Sequence, residues 1–125
     1  MKGIFAIGIG GGIGAIARYA VAVCAEKLTP VNFPLGTLAA NLLGCLLIGF
    51  FWSSFERVHI SREFRLFLFT GFLGGFTTFS TFARETEELF KAGQSLHAMA
   101  YILLSNLLGI SMVSLGFFLS QRFVR

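Results

Sequence analysis

Residues 70–85 read TGFLGGFTTFSTFARE, an apolar stretch that is interrupted by glycines and by hydroxyl side chains. Gly74 and Gly75 weaken a helix here, because glycine loses more backbone entropy on folding than any other residue. Thr77 and Thr78 weaken it again, because their hydroxyls can hydrogen-bond to the backbone and compete with the helical ladder. The pattern predicts a helix that is broken near residues 74–78.

The interrupted stretch belongs to one of four apolar runs, which cover residues 4–25, 35–55, 66–90 and 97–121. Each run can cross a hydrocarbon core of about 30 Å, which requires about 20 helical residues. The chain is 55% hydrophobic and 13% charged, whereas a soluble domain carries about 25% charged residues. We therefore expect an all-α integral membrane protein, with residues 1–125 forming one domain of four transmembrane helices. The third helix is expected to break at mid-membrane.

A break in the middle of a membrane span frees backbone carbonyls that lipid cannot hydrogen-bond. Such a break must be buried in protein or line a polar cavity. Freed carbonyls of this kind are good ligands for a small hard cation. A kink relieved by threonine hydroxyls explains the same residues equally well, and the spacing leaves both interpretations open.

Small residues recur four positions apart in the other three runs. This spacing lets helix backbones approach closely, which is how transmembrane helices gain packing energy. The residues are Gly10 and Gly14 in the first run, Gly36, Ala40 and Gly44 in the second, and Ser105 and Gly109 in the fourth.

The residues that follow the predicted break alternate between aromatic and polar. Phe79 and Phe82 are three positions apart and share one helix face, and Glu85 continues that face. Lipid contact is the simpler explanation for any single one of the 16 phenylalanines. An ionisable residue within a span is a functional candidate, although Glu85 also suits an interfacial position near the end of the run.

The charges indicate neither a nucleic-acid partner nor an enzyme. The net charge of +4 comes from residues that flank the apolar runs, as membrane proteins place them, and not from one basic face. No nucleophile and base are paired within the spans, and the two cysteines and two histidines show no metal spacing.

The side with both termini and the middle connection carries Lys2, Arg57, Arg62, Arg65, Arg122 and Arg125, and the other side carries Lys27, Lys91 and Arg84 at most. This bias modestly favours cytoplasmic termini.

The motif GGFTTFSTF at residues 74–82, followed by Glu85, resembles the signature of the Fluc/CrcB fluoride channels. The resemblance extends over the whole chain, through Arg18, Asn41, Tyr101 and Ser105. It implies a fluoride-selective channel that exports fluoride passively across the bacterial inner membrane and so lowers cytoplasmic fluoride. It also implies an antiparallel homodimer of dual topology with two pores in the lipid bilayer.

The resemblance further implies two groups of site residues. A structural sodium ion is expected at the crossed third-helix breaks, held by the backbone carbonyls of Gly74 and Thr77. Phe79 and Phe82 are expected to line the pores, with Asn41 as an amide of the vestibule. The full pathway for fluoride is expected to include Arg18, Asn41, Phe79, Ser80, Thr81, Phe82, Glu85, Tyr101 and Ser105.

The chain departs from the family pattern at Gly109, where some members carry a hydroxyl one turn beyond Ser105. Asn106 is a candidate replacement for that donor. Two other classes also have small four-span chains: dual-topology multidrug exporters and non-transporting membrane assembly subunits. A proton-coupled exporter would need a carboxylate deep in its first helix, where this chain has Arg18 and no acid.

Overall fold

The structure, a computed structural model, describes residues 1–124, and all regular secondary structure in this range is helical. Three uninterrupted helices are α1 (Lys2–Leu28), α2 (Leu35–Ser54) and α6 (Ser95–Phe123). The third span covers Arg62–Lys91, and all four segments are long and apolar enough to cross a membrane. The all-α, four-span prediction is therefore confirmed. Arg125, one of the charges counted above, lies outside the described residues.

The third span consists of four short helical pieces. It begins with α3 (Arg62–Arg65), continues as a π-helix (Leu66–Leu73) and α4 (Gly74–Phe76), and resumes as α5 (Phe79–Lys91). Thr77 and Thr78 between them are extended, with φ −93°, ψ 157° and φ −150°, ψ 123°. Gly74 is helical, at φ −62° and ψ −38°. The third span is therefore interrupted within the predicted range 74–78, at the two threonines, whereas Gly74 remains helical.

Glycines place α1 directly against the third span. A Cβ atom at Gly14 would overlap with the carbonyl oxygen of Phe72, and one at Gly75 would overlap with the carbonyl oxygen of Gly11. Such contacts let two backbones meet, which gives van der Waals packing where lipid removes the hydrophobic drive. Gly75 is thus required for the close approach of α1, and this explains its place inside a helical segment.

A second pair of helices, α2 and α6, packs in the same way. A Cβ atom at Gly49 would overlap with the Val113 carbonyl oxygen, and one at Gly116 would overlap with that of Leu46. The pair is fastened near one end by a hydrogen bond of 2.7 Å between the buried hydroxyls of Ser54 and Ser120. The break of the third span packs against α2, because a Cβ atom at Gly44 would overlap with the Thr77 side chain.

The connections alternate between the two ends of the bundle. Lys2 and Arg62 line one cavity at the end where α1 and the third span begin, and the Ser54–Ser120 bond lies where α2 and α6 run toward the middle connection and the C-terminus. At the opposite end, Phe33 of the first connection lies 6.3 Å from the ring of His97. Many large apolar side chains of the spans are exposed on the single chain, as expected of a surface that faces lipid or another membrane subunit.

Candidate functional site

The two threonines of the break hydrogen-bond to the helix ends beside them. Thr77 Oγ1 donates to the Leu73 carbonyl at 2.9 Å, so the hydroxyl bonds back to the preceding turn. Thr78 is the N-cap of α5, and its Oγ1 accepts the N–H of Thr81 at 3.2 Å. Threonine is a favoured N-cap, because its hydroxyl satisfies an amide that has no partner within the helix. The break is therefore a helix end followed by a properly capped helix start.

Asn41 of α2 pairs with both backbone groups of Thr78. Its Nδ2 donates to the Thr78 carbonyl at 3.0 Å, and its Oδ1 accepts the Thr78 N–H at 2.8 Å. An amide side chain can match an extended residue in this way, because it offers one donor and one acceptor side by side. The pair bridges 37 positions of sequence and joins α2 to the break.

The break changes the hydrogen bonding of the backbone carbonyls that precede α5. In a continuous helix the carbonyls of Gly74 and Thr77 would accept the N–H groups of Thr78 and Thr81. Those amides donate instead to Asn41 Oδ1 and Thr78 Oγ1. The Gly75 carbonyl accepts Arg18 Nε of α1 at 3.1 Å. The carbonyl of Thr78, the N-cap of α5, accepts a hydrogen bond from Asn41 Nδ2.

A cavity of about 410 Å³ opens beside the break between α2, α6 and the third span. The Ser105 Oγ atom is buried, and within residues 1–124 it has no hydrogen-bond partner. An unsatisfied buried hydroxyl costs free energy and commonly marks a functional position or an absent ligand. The residues lining the cavity are Asn41, Gly44, Cys45, Ile48, Phe69, Leu73, Gly74, Thr77, Thr78, Phe79, Phe82, Ser105 and Asn106.

Gly109, where some family members carry a hydroxyl, and the neighbouring Asn106 differ in what they contact. Gly109 is buried, and a Cβ atom there would meet Cys45 Sγ at an ordinary contact distance of 3.5 Å. Asn106 is exposed and lines the cavity, but its Nδ2 donates to the Ile102 carbonyl of its own helix at 2.8 Å. One of its two amide hydrogens is thus already used within α6.

The two phenylalanine rings after the break lie together but in different surroundings. Their centroids are 5.7 Å apart. The Phe82 ring is half-buried and packs against Tyr101 at 4.9 Å with an interplanar angle of 60°. Phe79 is 78% exposed at the rim of the cavity. Phe82 is therefore fixed by its own chain, whereas Phe79 extends toward whatever covers this face.

Tyr101 connects the aromatic pair to Glu85 in the middle of α5. Its side chain is 0% exposed, and its hydroxyl donates to Glu85 Oε1 at 2.9 Å. The Phe33 ring also packs edge-on against Tyr101, with centroids 5.5 Å apart and an interplanar angle of 78°. Glu85 thus lies at the end of a continuous contact path from Phe79 through Phe82 and Tyr101.

Replacing Tyr101 by phenylalanine is expected to destabilise the fold by about 1–3 kcal/mol, because it leaves the Glu85 carboxylate without its protein donor. The measurement is the thermal unfolding midpoint of the purified protein in detergent. Tyr19→Phe is the matched control, since Tyr19 is 71% exposed. Equal midpoints for the two variants would show that the Tyr101–Glu85 bond contributes nothing measurable.

The structure brings most of the suggested site residues to one region and leaves one apart. Asn41, Gly74, Thr77, Phe79, Phe82 and Ser105 line the same cavity, and Thr81, Tyr101 and Glu85 adjoin it through hydrogen bonds and ring contacts. Ser80 lies exposed within 3.5 Å of Thr78 Oγ1. Arg18 does not line this cavity and instead bonds to the Gly75 carbonyl from the α1 side.

Sequence reasoning missed two residues of this region. Thr78 holds both the N-cap and the Asn41 pair, and a threonine just before a helix start was the signal that could have found it. Phe33, which packs on Tyr101, lies in a connection beside Pro34, and no sequence pattern distinguishes it from the other phenylalanines.

Comparison with known proteins gives consistent matches over nearly the whole chain. The model of the family described as CrcB-like protein, Camphor Resistance (CrcB), matches residues 5–117. A protein named fluoride-specific ion channel FluC from Desulfotalea psychrophila is 53% identical over 124 residues, which cover 99% of this chain and 96% of the relative. Proteins of the same name from Phocaeicola vulgatus (44% identical, 97% and 100% covered) and Legionella pneumophila (46%, 89% and 84%) are also similar.

These matches confirm the resemblance drawn from residues 74–85, and they agree with four helices that are suited to cross a membrane. The chain is thus a multi-pass membrane protein, and it belongs to the CrcB (Fluc) family.

Proposed function

We propose that this protein is a fluoride-selective channel that lets fluoride leave the cell passively. The observation that carries the proposal is the capped break beside a cavity lined by two phenylalanine rings and an unpartnered hydroxyl. The relatives named as fluoride-specific channels support the same conclusion. Family membership also confirms the prediction that the chain is not an enzyme.

The pathway is expected to exchange the water around fluoride for side-chain donors. Fluoride is small and strongly hydrated, so a dry pore must offer donors that replace water without trapping the ion. Ser105 Oγ has no partner within residues 1–124 and is available for this purpose. Asn41 has a second N–H on Nδ2 beyond the one that pairs with Thr78. Both side chains line the cavity, so an anion there meets two polar donors.

The phenylalanine rings are expected to narrow the pathway and to face the ion with their edges. The edge of a phenyl ring is the positive end of its quadrupole. Phe82 is held in a tilted orientation by Tyr101, which fixes the direction in which its edge points. Beyond the rings, Ser80, Thr81 and the Tyr101–Glu85 pair continue a polar route toward the end of the bundle. A narrow apolar constriction with few donors favours fluoride over larger halides by size.

A second copy of the chain is proposed to cover the break, in the opposite orientation. Gly74, Phe79 and Ser80 are exposed on the single chain near the middle of the third span. Irregular backbone at membrane depth is not tolerated against lipid, so this face needs a protein partner. An antiparallel homodimer would cross the two third spans at their breaks and form two equivalent pathways. Dual insertion must then tolerate the imbalance of Lys and Arg between the two sides.

The break also fits a structural sodium ion. The N–H groups of Thr78 and Thr81 donate to side-chain oxygens and not to the carbonyls of Gly74 and Thr77. These two carbonyls are therefore available as oxygen ligands, the type that hard cations prefer. In a dimer of crossed breaks, two such pairs would give a site made of four carbonyl oxygens. A cation held there would supply a fixed positive charge between the two anion pathways.

Efflux from liposomes tests the proposal. Purified protein is reconstituted in vesicles loaded with potassium fluoride or potassium chloride, and ion-selective electrodes follow release after valinomycin is added. We expect rapid fluoride loss with chloride retained, and no requirement for a proton gradient. Equal release of both halides, or release of neither, would contradict the proposal, and the second result would favour a non-transporting subunit.

A further inference from the structure

Four backbone carbonyls near the break differ in whether they accept a hydrogen bond from a side chain. The Gly75 carbonyl accepts Arg18 Nε, and the Thr78 carbonyl accepts Asn41 Nδ2. The carbonyls of Gly74 and Thr77 have lost their helical donors, and within residues 1–124 neither accepts a hydrogen bond from a side chain or another element. Of these four carbonyls, two accept a side-chain donor and two do not.

We propose that Arg18 and Asn41 are positioning residues that select which carbonyls of the break can bind a cation. This role rests on the proposed sodium site, and it concerns the carbonyls of the break and not the pathway for fluoride. Arg18 acts from α1 and Asn41 from α2, so each packing partner of the third span contributes one of the two contacts.

Asn41 acts on two carbonyls at once. By accepting the Thr78 N–H it removes the donor that would otherwise occupy the Gly74 carbonyl, and by donating to the Thr78 carbonyl it occupies that oxygen. The orientation of the amide is determined chemically, because a backbone N–H can only donate and a backbone carbonyl can only accept. A flipped Asn41 side chain would break both bonds.

Arg18 acts through charge as well as through its bond. Its guanidinium is a charged donor, and a carbonyl that already accepts a charged donor is a poorer ligand for a cation. The Gly75 carbonyl points toward α1, where it accepts a hydrogen bond from Arg18. A cation would therefore bind on the opposite side of the third span. The guanidinium also opposes a cation near it, so the site stays away from α1.

The test measures how sodium stabilises the full-length protein. Protein purified without sodium in detergent is heated at increasing NaCl, with N-methylglucamine chloride keeping ionic strength constant, and the unfolding midpoint gives the half-saturating sodium concentration. Asn41→Leu frees the Thr78 N–H to donate to the Gly74 carbonyl, and it is expected to raise that concentration roughly tenfold or more, because the cation would lose an oxygen ligand. Asn41→Asp keeps the acceptor, removes the side-chain donor to the Thr78 carbonyl and adds a negative charge. It is expected to lower the half-saturating concentration by roughly tenfold.

Arg18→Leu is the second arm, and it is also expected to lower the half-saturating sodium concentration, because it frees the Gly75 carbonyl and removes a positive charge. Asn106→Leu is the matched control for sodium dependence, since Asn106 bonds to its own helix and not to the break. A role limited to folding would lower the midpoint of each variant without shifting sodium dependence in opposite directions. The second arm and Asn41→Asp remain decisive if Asn41→Leu does not fold.

The outcomes separate this inference from the proposed function. Sodium dependence in the unsubstituted protein that is unchanged in Asn41→Leu, Asn41→Asp and Arg18→Leu would overturn the selection role alone. A midpoint that does not respond to sodium in the unsubstituted protein would overturn the cation site and this inference with it. The fluoride and chloride efflux result would still stand in that case, because it is measured separately.

Discussion

Replacing Phe82 by isoleucine is expected to reduce fluoride efflux from proteoliposomes by about a hundredfold or more, equivalent to about 2.7 kcal/mol of added barrier. The substitution keeps an apolar side chain of moderate size but removes the ring edge that would face the ion. It also removes the contact of 4.9 Å with Tyr101 that sets the ring orientation. Loss of that contact removes one of the two ring contacts that hold Tyr101 beside Glu85, so the polar route beyond the ring is affected too.

Phe79→Ile is expected to have a similar effect on efflux for a different structural reason. The Phe79 ring is exposed on the single chain at the cavity rim, so its orientation depends on the subunit that covers this face. The matched control is Phe118→Ile, because Phe118 is 60% exposed on α6 and does not line the cavity. Light scattering after size exclusion should give the same mass for all three variants.

Efflux from Phe79→Ile and Phe82→Ile at the rate of the unsubstituted protein would remove the rings from the mechanism. A loss of efflux together with a change of mass would instead point to failed assembly. The Phe118→Ile control distinguishes a general cost of losing an aromatic ring in the membrane from an effect at the pathway.

The four membrane spans could be predicted from the sequence, because a span depends on hydropathy summed over many residues. Four runs of the required length predicted the four helices of the structure, and a single misplaced charge would not have changed that result. The close packing of Gly10 and Gly14 was also predictable, since small residues four positions apart permit backbone contact whatever the partner helix is. The sequence did not show that the partner is the third span.

The backbone conformation at the break could not be predicted from the sequence, because it depends on contacts between residues far apart in the chain. Gly74 and Gly75 have the propensity of helix breakers but stay helical, since α1 packs against Gly75 and tertiary contact outweighs propensity. The extended residue Thr78 is held by Asn41, which lies 37 positions away. The π-helix over Leu66–Leu73 likewise has no local signature. Asn41 was expected to line a vestibule, and its pairing with the backbone became visible only in three dimensions.

Gly14→Ala is expected to destabilise the folded protein by about 3 kcal/mol, at the upper end of what overpacking costs. The added methyl group would overlap with the Phe72 carbonyl oxygen and lie 2.9 Å from the Phe76 nitrogen. Both are backbone atoms of helical segments, so they cannot rotate away as the end of a flexible side chain would. The α1 helix must therefore move off the third span, and the bond from Arg18 to the Gly75 carbonyl would lengthen with it.

Gly12→Ala tests whether the cost comes from this contact and not from alanine itself. Gly12 lies on the same helix, and among the described residues no atom of another helix lies within 4 Å of the added methyl group. Alanine favours a helix over glycine by about 1 kcal/mol, so Gly12→Ala should unfold at the same temperature as the unsubstituted protein or slightly above it. Thermal unfolding in detergent compares the two variants directly. If both unfold together, backbone contact at Gly14 does not hold α1 to the third span, and the close crossing of these helices would have to be stabilised elsewhere.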